Sequence, residues 1–393
     1  MTRAISQSSP MRDKPAHGHH RVTFVELFFD LVFVFAITQI SHTLLAHFTV
    51  LGVVETAMMM LAIWWVWIYT TWVANWLDPE HTRVRLLMFG LMLLGLALST
   101  SIPKAFESRG LAFALAYVAM QVGRTLFFIA CAPPEQQAQR RNFQRILAWF
   151  CLSALFWISG GLAEGGWRVG LWCVALALEY VSPALRFWTP GLGSSSLSDW
   201  TVEGGHLSER CALLVMIALG ESLLVTGATF SSHDWDAPIV TAFLLAFIGS
   251  VAMWWIYFDK GAEEGSERIA ASEESGRLAR VSYTYIHLLI IAGIIVSAVS
   301  DELALAHPLG HVEAQMAIAT IGGPLLFLVG CLLFKKTIRG WFMLSHLVGV
   351  AALLLLAFFY GTMPPLVFYG LTTAILCVVA AWETLSLRGR RGI

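Results

Sequence analysis

The sequence predicts an all-α polytopic membrane protein with about twelve transmembrane helices. Of its 393 residues, 57% are hydrophobic and 13% are charged, a balance that soluble globular proteins of this length do not have. The apolar residues also fall into runs of about 20, the length of helix that spans the hydrocarbon core of a bilayer. These runs cover residues 22–48, 52–75, 84–102, 110–131, 143–162, 167–189, 209–229, 237–258, 280–300, 314–334, 341–359 and 364–385.

The positions of Lys and Arg support this count and give the chain an orientation. Cytoplasmic segments of membrane proteins carry most of these residues. With the N-terminus in the cytoplasm, only Lys104, Arg109 and Arg168 fall in external loops, and Arg124 lies within the fourth run. We therefore expect a multi-pass protein with both termini in the cytoplasm. No cleavable signal peptide is recognised, because the first apolar run is too long.

Charge and motifs argue against several other classes of protein. The net charge of -1 and the scattered basic residues argue against nucleic acid as a partner. The six cysteines lack metal-ligand spacing, and the chain has no Walker A loop, G-x-S-x-G elbow or H-E-x-x-H motif. His17-Gly-His-His20 lies in a polar tail and is not assigned a metal. We therefore predict neither an enzyme nor a cofactor.

The two halves of the chain resemble each other. Trp64-Trp65 in the second run corresponds to Trp254-Trp255 in the eighth, and the pattern from Gly123 to Cys131 recurs from Gly323 to Cys331. Because six is even, two six-helix units would enter the membrane in the same direction, as a parallel repeat. Transport folds of this kind place the substrate path between the halves.

The repeat divides the chain into five segments. A linker rich in Gly and Ser separates the two repeats, and a short polar or basic tail stands at each end. The segments are a polar tail at 1–20, a first repeat at 21–189, a linker at 190–205, a second repeat at 206–387 and a basic tail at 388–393.

Two carboxylates in the first run point to function. Glu26 and Asp30 stand four residues apart, on one face of a helix. An ionised group in hydrocarbon costs roughly 3 kcal/mol on insertion scales, so it is retained where it faces protein, water or a partner. The alternative is that Glu26 lies at the level of the headgroups and only Asp30 is buried.

Other polar residues within the runs extend this hypothesis to an ion or proton path. Arg124 requires an anion, for which Asp30, Glu179 or Glu221 are candidates, and histidine can change charge near neutral pH. For each residue the alternative is a hydrogen-bonded packing group. The predicted path consists of Glu26, Asp30, Gln39, His42, Arg124, Glu209, Arg210, Glu221 and His287.

Two segments carry a resemblance to a known family. The sequence ELFFDLVFVFAITQISHTL at 26–44, together with HLSERCALLVMIALGES at 206–222, resembles the low temperature requirement protein A (LtrA) family. The resemblance spans most of the chain. It implies a multi-pass protein of the bacterial inner (plasma) membrane, named for growth in the cold, and brings no agreed biochemical activity.

A shorter resemblance suggests a mechanism. Residues 28–33 and 36–38 are similar to helix 1 of the endolysosomal-type potassium channels, in which the first helix lines the pore and an Arg/Ser/Asp network anchors it. This sequence departs from that pattern, because Phe24 replaces the arginine and Phe29 replaces the serine. The channel analogy therefore covers about a dozen residues.

Three functions follow from these observations. The first is a secondary transporter or ion/proton pathway with acids of helices 1 and 7 in the path. The second is a potassium-channel-like cation conductor, and the third is a membrane protein for cold or stress adaptation that transports nothing. The expected partners are the lipid bilayer and a small ion or solute, and the sequence leaves a homodimer open.

Overall fold

The computed structural model describes residues 9–12, 21–196, 203–259, 278 and 280–388. In these residues the chain is helical apart from its turns, short connections and two isolated β-bridges. The π-helical segment Arg280–Ile286 leads directly into the α-helix that begins at His287. The α-helices are α1 (Phe24–Ala46), α2 (Val50–Trp76), α3 (Thr82–Ser101), α4 (Gly110–Cys131), α5 (Gln137–Leu162), α6 (Gly165–Val181), α7 (Gly204–Ser231), α8 (Ala237–Phe258), α9 (His287–Ala306), α10 (Ala314–Arg339), α11 (Leu344–Ala357) and α12 (Pro365–Arg388).

Ten of these described helices are long and apolar enough to cross a membrane. The remaining two, α6 and α11, have 17 and 14 residues and are shorter than the usual span of about 20. The prediction of an all-helical multi-pass membrane protein is therefore confirmed. The predicted bounds of the fourth and eighth runs match those of α4 and α8.

The sixth run ends earlier than its apolar composition predicts. We expected one helix at 167–189, but α6 stops at Val181. Pro183 follows shortly, and a proline disfavours helix in the residue before it. Arg186 and Phe187 then adopt left-handed backbone angles, with φ of 53° and 49°, which turn the chain.

Side-chain caps and a glycine define other helix ends. The Asp236 carboxylate accepts a hydrogen bond from the backbone N–H of Ile239 at 3.0 Å and so caps the start of α8. Gly340 ends α10 in the left-handed conformation, with φ of 84°. Lys335 and Arg339 consequently lie within α10, whereas we had expected them in a loop that begins after residue 334.

The chain forms two compact units. The first unit contains residues 1–43 and 50–207, and the second contains residues 44–49 and 208–393. Within the first unit, α2 packs on α4 and α6, and α3 to α6 pack in sequence as neighbours. Within the second unit, α8 packs on α10 and α12, and α9 to α12 pack in sequence as neighbours.

Glycines permit the closest helix contacts in both units. A Cβ at Gly160 of α5 would come within 2.4 Å of the Trp172 ring of α6. In the second unit, a Cβ at Gly293 would come within 2.5 Å of the Phe327 backbone nitrogen, so α9 and α10 approach each other very closely. Small residues at helix interfaces are the usual means by which membrane helices pack.

Part of the N-terminal tail is packed against the first unit. We expected residues 1–20 to be a polar tail, but Pro10, Met11 and Arg12 run beside the end of α2. The backbone N–H of Arg12 donates to the Trp76 carbonyl at 2.8 Å, and the Met11 side chain is buried. The histidines at 17–20 and the basic residues at 389–393 lie outside the described residues.

Candidate functional site

The start of α1 is held by a capping arrangement that includes Glu26. Thr23 precedes the helix, and its backbone N–H and hydroxyl both donate to Glu26 Oε2, at 2.9 and 2.8 Å. A Glu that reaches back to the residue before the helix satisfies a donor that the helix itself leaves unpaired. The Glu26 side chain is fully buried within the protein.

Glu26 also pairs with two basic side chains of the first unit. Arg12 Nη2 lies 3.2 Å from both carboxylate oxygens, and His206 Nε2 lies 2.8 Å from Oε1. Both side chains are buried or nearly so. Hydrogen bonds to a carboxylate from charged donors are among the strongest in proteins. The arrangement therefore stabilises an ionised Glu26 without exposing it.

Asn75 sets the orientation and tautomer of His206. The backbone N–H of Glu203 donates to Asn75 Oδ1 at 3.0 Å, and Asn75 Nδ2 donates to the Glu203 carbonyl at 3.0 Å. Asn75 Nδ2 also lies 3.3 Å from His206 Nδ1, which must accept. Nε2 then carries the hydrogen that His206 donates to Glu26, so it cannot also accept from Arg12 Nη2, which lies 3.4 Å away.

Asp30 lies one turn farther along α1 and is also fully buried. Its Oδ1 accepts a hydrogen bond from the indole N–H of Trp67 at 2.8 Å, which joins α1 to α2. Trp64 and Trp65 of α2 are buried as well, and Trp65 stacks on Tyr180 of α6. These deep tryptophans pack the first unit, and Trp67 in addition binds one of the predicted path residues.

The other two candidates on α1 are less buried. Gln39 is half-buried and His42 is exposed on the described surface of the first unit. The hydroxyls of Thr38 and Thr43 donate to helix carbonyls one turn earlier, at 3.0 and 2.6 Å. Among the four candidate residues on α1, the two carboxylates are therefore the most buried.

Arg124 is fully buried in α4 and is bound by neutral oxygen atoms. Its Nη1 donates to the Thr70 hydroxyl at 2.8 Å and to the Val66 carbonyl at 3.2 Å, and its Nη2 donates to Gln121. The guanidinium also lies 5.7 Å from the centre of the Tyr69 ring, within the range of a cation–π interaction. Among the described residues Arg124 makes no direct ion pair.

A chain of hydrogen bonds connects Arg124 with the carboxylate of Glu179 on α6. Gln121 Nε2 donates to the Tyr117 hydroxyl at 3.1 Å, and that hydroxyl donates to Glu179. Ser153 and Trp157 of α5 donate to the same carboxylate at 2.7 and 3.0 Å. Of the three anions that the sequence offered for Arg124, Glu179 is therefore the one joined to it by a continuous chain of hydrogen bonds within the first unit.

The candidates on α7 belong to the second unit. Arg210 is fully buried, whereas Glu209 and Glu221 are half-buried. Glu221 stands 17 residues after the start of α7 and ten before its end. The two acids of α7 are therefore partly exposed, whereas its arginine is buried.

His287 has both ring nitrogens satisfied. The Ser282 carbonyl lies 2.7 Å from Nδ1, and the Tyr257 hydroxyl lies 2.9 Å from Nε2. Because a carbonyl can only accept, Nδ1 carries the hydrogen and Nε2 accepts from the tyrosine. His287 is therefore a neutral group that ties the π-helical segment to α8 and α9, which favours packing over a role in the path.

A buried ion pair in the second unit was not predicted. Lys335 Nζ donates to both oxygens of Glu383 at 2.7 and 2.6 Å and to the Ile256 carbonyl at 2.6 Å. Arg339 and His346 approach the same carboxylate at 3.7 and 3.8 Å. Glu383 is the single acid in the apolar run 364–385, as Glu179 is in the sixth run. A lone acid in an apolar run is the sequence signal that could have identified both residues.

Asp301 of α9 is a second acid that the sequence reading missed. It follows the run at 280–300, so we placed it beyond the end of the helix, but α9 continues to Ala306 and buries Asp301. Tyr369 and Ser222 contact its carboxylate. No group of three or more metal-binding side chains is found among the described residues.

Comparison with known proteins agrees with the two sequence signatures. Residues 21–381 match the model of a family described as bacterial low temperature requirement A protein (LtrA). The chain is also 42% identical over 377 residues to uncharacterized protein RA0937 of Rhizobium meliloti (strain 1021), across 94% of this chain and 91% of that protein. No solved structure matches. The chain therefore belongs to the bacterial low temperature requirement A (LtrA) family of membrane proteins.

Proposed function

We propose that this protein is a secondary transporter or ion/proton pathway of the inner membrane, with Asp30 of α1 and Glu221 of α7 as its ion-binding acids. The observation that carries the proposal is the complete burial of Asp30 within a membrane-spanning helix. A carboxylate at such a position is costly, and in membrane proteins it commonly marks an ion or proton path.

A duplicated architecture supports this proposal. In the first unit the second helix packs on the fourth and sixth, and in the second unit α8 packs on α10 and α12, the equivalent helices six positions later. A buried cation on the fourth helix of each unit, Arg124 or Lys335, donates to a carbonyl of the second. The two carbonyls, of Val66 and Ile256, each follow the paired tryptophans of the repeat directly.

The sixth helix of each unit adds a further correspondence. Both acids, Glu179 on α6 and Glu383 on α12, are buried. Glu383 accepts a hydrogen bond from Lys335 directly, and Glu179 is linked to Arg124 through Tyr117 and Gln121. These matches favour two parallel six-helix repeats, an architecture that transporters use. In this proposal twelve helices cross the membrane, including the short α6 and α11, and both termini lie in the cytoplasm.

The contacts of Glu26 give it a different role from that of Asp30. Glu26 binds Arg12, His206 and the residue before the helix, so it positions the start of α1 at the proposed cytoplasmic entrance. Asp30, one turn deeper, contacts α2 through a neutral indole. Arg124 supplies positive charge to the interior of the first unit and is linked to Glu179.

The test is ion flux into proteoliposomes that hold the purified protein. Wild type is compared with Asp30→Asn, which keeps an oxygen to accept from Trp67 but cannot be ionised, and with Glu221→Gln. Glu135→Gln, at an exposed acid between α4 and α5, is the matched control. A potassium gradient, a pH-sensitive dye and a valinomycin control identify the ion that moves.

We expect flux in wild type and in Glu135→Gln, and a strong reduction in Asp30→Asn and Glu221→Gln. If the double variant Asp30→Asn, Glu221→Gln leaves both flux and growth in the cold unchanged, these two acids do not form the path and the proposal fails. Absence of flux in wild type as well would favour a membrane role without transport. Potassium flux that needs no proton gradient supports the channel-like alternative. The Asp30–Trp67 contact is consistent with that alternative, because it anchors α1.

A further inference from the structure

A small cavity with several oxygen-bearing side chains in its lining lies within the second unit, between α8, α9, α10 and α12. Its volume is about 20 Å³, enough for one water molecule or one ion without its hydration shell. The oxygen-bearing side chains that matter for its chemistry are Ser250, Ser297, Ser300, Asp301, Thr320 and Tyr369. The cavity is too small for an organic solute.

Asp301 gives the cavity a carboxylate that has no cationic partner among the described residues. The Tyr369 hydroxyl donates to Oδ1 at 2.6 Å, and the Ser222 hydroxyl lies 3.4 Å from Oδ2. Among the described residues both of these hydrogen-bonding groups are neutral. A buried carboxylate with no cation nearby is costly, so a proton or a bound cation must compensate its charge.

The elements around Asp301 supply no other charge at the cavity. The lining residues of α8 and α10 carry no titratable side chain, and Tyr369 is the titratable residue that α12 contributes. On α7, Ser222 faces Asp301, and the acid Glu221 stands next to Ser222 in the chain. The compensating cation must therefore come from outside the cavity.

Two hydroxyl groups at the cavity have no hydrogen-bond partner among the described residues. The oxygen atoms of Ser250 and Ser297 are buried and unpaired, and both residues line the cavity. Their side chains are 3% and 4% exposed. Buried polar groups in folded proteins are rarely left without a partner, so unpaired oxygen atoms around a small cavity indicate a bound water molecule or ion.

A proline in α10 adds a backbone oxygen to the same place. Pro324 lies inside the helix and has no N–H, so the carbonyl of Thr320, four residues earlier, loses its helical hydrogen bond. The Thr320 hydroxyl lies 2.8 Å from the Ser300 hydroxyl, at the face of α10 that meets α9. Carbonyls released by interrupted membrane helices coordinate Na⁺ in transport proteins.

We propose that this cavity binds one dehydrated monovalent cation of the size of Na⁺, in exchange for the proton of Asp301. The carboxylate, the Ser297 and Ser300 hydroxyls and the hydroxyl and carbonyl of Thr320 are the ligands. One proton leaves the carboxylic acid as one Na⁺ binds, so the net charge of the buried site does not change. The site uses none of the acids assigned to the path above, and its occupancy does not depend on flux.

The first experiment measures Na⁺ binding by the purified full-length protein in detergent. Thermal unfolding is followed as NaCl replaces N-methyl-glucamine chloride at constant ionic strength, because a ligand of the folded state raises Tm with its concentration. A pH-sensitive dye in weak buffer measures proton release. Wild type is compared with Asp301→Asn and with Glu302→Gln, the adjacent acid that does not line the cavity.

We expect a saturable rise of Tm with Na⁺ and release of a proton in wild type and in Glu302→Gln. Both effects should be lost in Asp301→Asn, and K⁺ should be less effective than Na⁺ in so small a cavity. No Na⁺-specific rise in wild type, or an equal rise in Asp301→Asn, would overturn the proposal. If the protein binds Na⁺ but shows no flux in liposomes, the proposed transport function is overturned and the cation site is not.

Two further variants retain the carboxylate and guard against misfolding of Asp301→Asn. Ser297→Ala removes one ligand, and Pro324→Ala restores an N–H to the Thr320 carbonyl. Each should raise the Na⁺ concentration for half-maximal stabilisation by about tenfold, the effect of losing one good polar contact. Gly322→Ala, at an open position on α10, is the control and should leave it unchanged. Unchanged Na⁺ dependence in both test variants would also overturn the proposal.

Discussion

Glu26 and His206 stand 180 residues apart in the chain, and their side chains meet with 2.8 Å between Oε1 and Nε2. They are the first residues of the two sequence signatures that identify the family. Arg12 and Asn75 complete the cluster, one as the countercharge of Glu26 and the other as the group that orients the imidazole. The two signatures therefore contribute to one buried polar cluster of the first unit.

The cluster predicts that His206 contributes to stability. In His206→Ala, Glu26 loses a donor and Asn75 loses an acceptor inside the protein, which should lower the free energy of unfolding by about 1–3 kcal/mol. Unfolding by SDS in mixed micelles measures this change. His311→Ala, at an exposed histidine, is the control and should have little effect. Equal stability of the two variants would show that the His206 contacts contribute little.

The buried pair of Lys335 and Glu383 predicts an asymmetric response to mutation. Lys335→Met should lower the free energy of unfolding by about 3–5 kcal/mol, because Glu383 loses its closest cation while it stays buried. Lys335→Met combined with Glu383→Leu should recover much of this loss, since the buried carboxylate is then removed together with its closest cation. The same SDS titration measures both variants.

The neighbouring residue provides the control for the lysine prediction. Lys336 is exposed and lies 4.2 Å from the centre of the Phe342 ring, so Lys336→Met should cost at most about 1 kcal/mol. A loss in Lys336→Met as large as that in Lys335→Met would contradict the assignment of a buried ion pair to Lys335. If the double variant is no more stable than Lys335→Met, the unpaired carboxylate of Glu383 is not the cause of the loss.

The hydrogen bonds between Arg124 and Glu179 predict a specific effect of Tyr117. Tyr117→Phe removes the hydroxyl that connects Gln121 with Glu179 but keeps the ring. Stability should fall by about 1–2 kcal/mol. If protons pass along this chain of groups, proton flux in liposomes should fall as well. Tyr360→Phe, at an exposed tyrosine, should change neither stability nor flux.

Proton flux that is intact in folded Tyr117→Phe would restrict the role of this network to stability. Loss of flux with little loss of stability would instead make Tyr117 part of a proton path in the first unit. Thermal unfolding of the same preparation separates the two results from simple misfolding. The comparison requires that both tyrosine variants insert into liposomes in equal amounts.

The sequence predicted helix positions well, because apolar length alone determines where a helix can span the membrane. It predicted burial of polar groups less well. The rule that cytoplasmic segments are rich in Lys and Arg counts Lys335 in the same way whether it lies in a loop or at the end of α10. The rule therefore could not place this residue. Arg12 lies in a polar tail, and only the tertiary structure brings it to Glu26.

The acids illustrate the same limit of sequence reasoning. Glu26 and Asp30 were found because they interrupt a long apolar run. Glu179 and Glu383 interrupt similar runs, and the same argument applied to each run would have identified both. Asp301 follows an apolar run directly, and its burial depends on α9 extending five residues beyond it. Helix ends are the part of a helix that sequence locates least well.

The close approach of α9 and α10 predicts opposite effects at two adjacent glycines. A Cβ at Gly323 would lie 2.5 Å from the backbone nitrogen of Ser297, whereas a Cβ at Gly322 would meet nothing within 4 Å. Gly323→Ala should therefore force the helices apart and destabilise the protein by about 1–3 kcal/mol. Gly322→Ala should stabilise it by up to about 1 kcal/mol, because alanine favours helix over glycine.

Ser297 also lines the proposed cation site, so the glycine pair tests packing and binding together. In Gly323→Ala, displacement of Ser297 should weaken Na⁺-dependent stabilisation as well as basal stability, whereas Gly322→Ala should preserve the Na⁺ effect. SDS titration with and without NaCl measures both quantities. If Gly323→Ala were as stable as wild type, α9 and α10 could not approach as closely as described. A stable Gly323→Ala variant with normal Na⁺ dependence would leave neither the packing nor the cavity as argued, because Ser297 takes part in both.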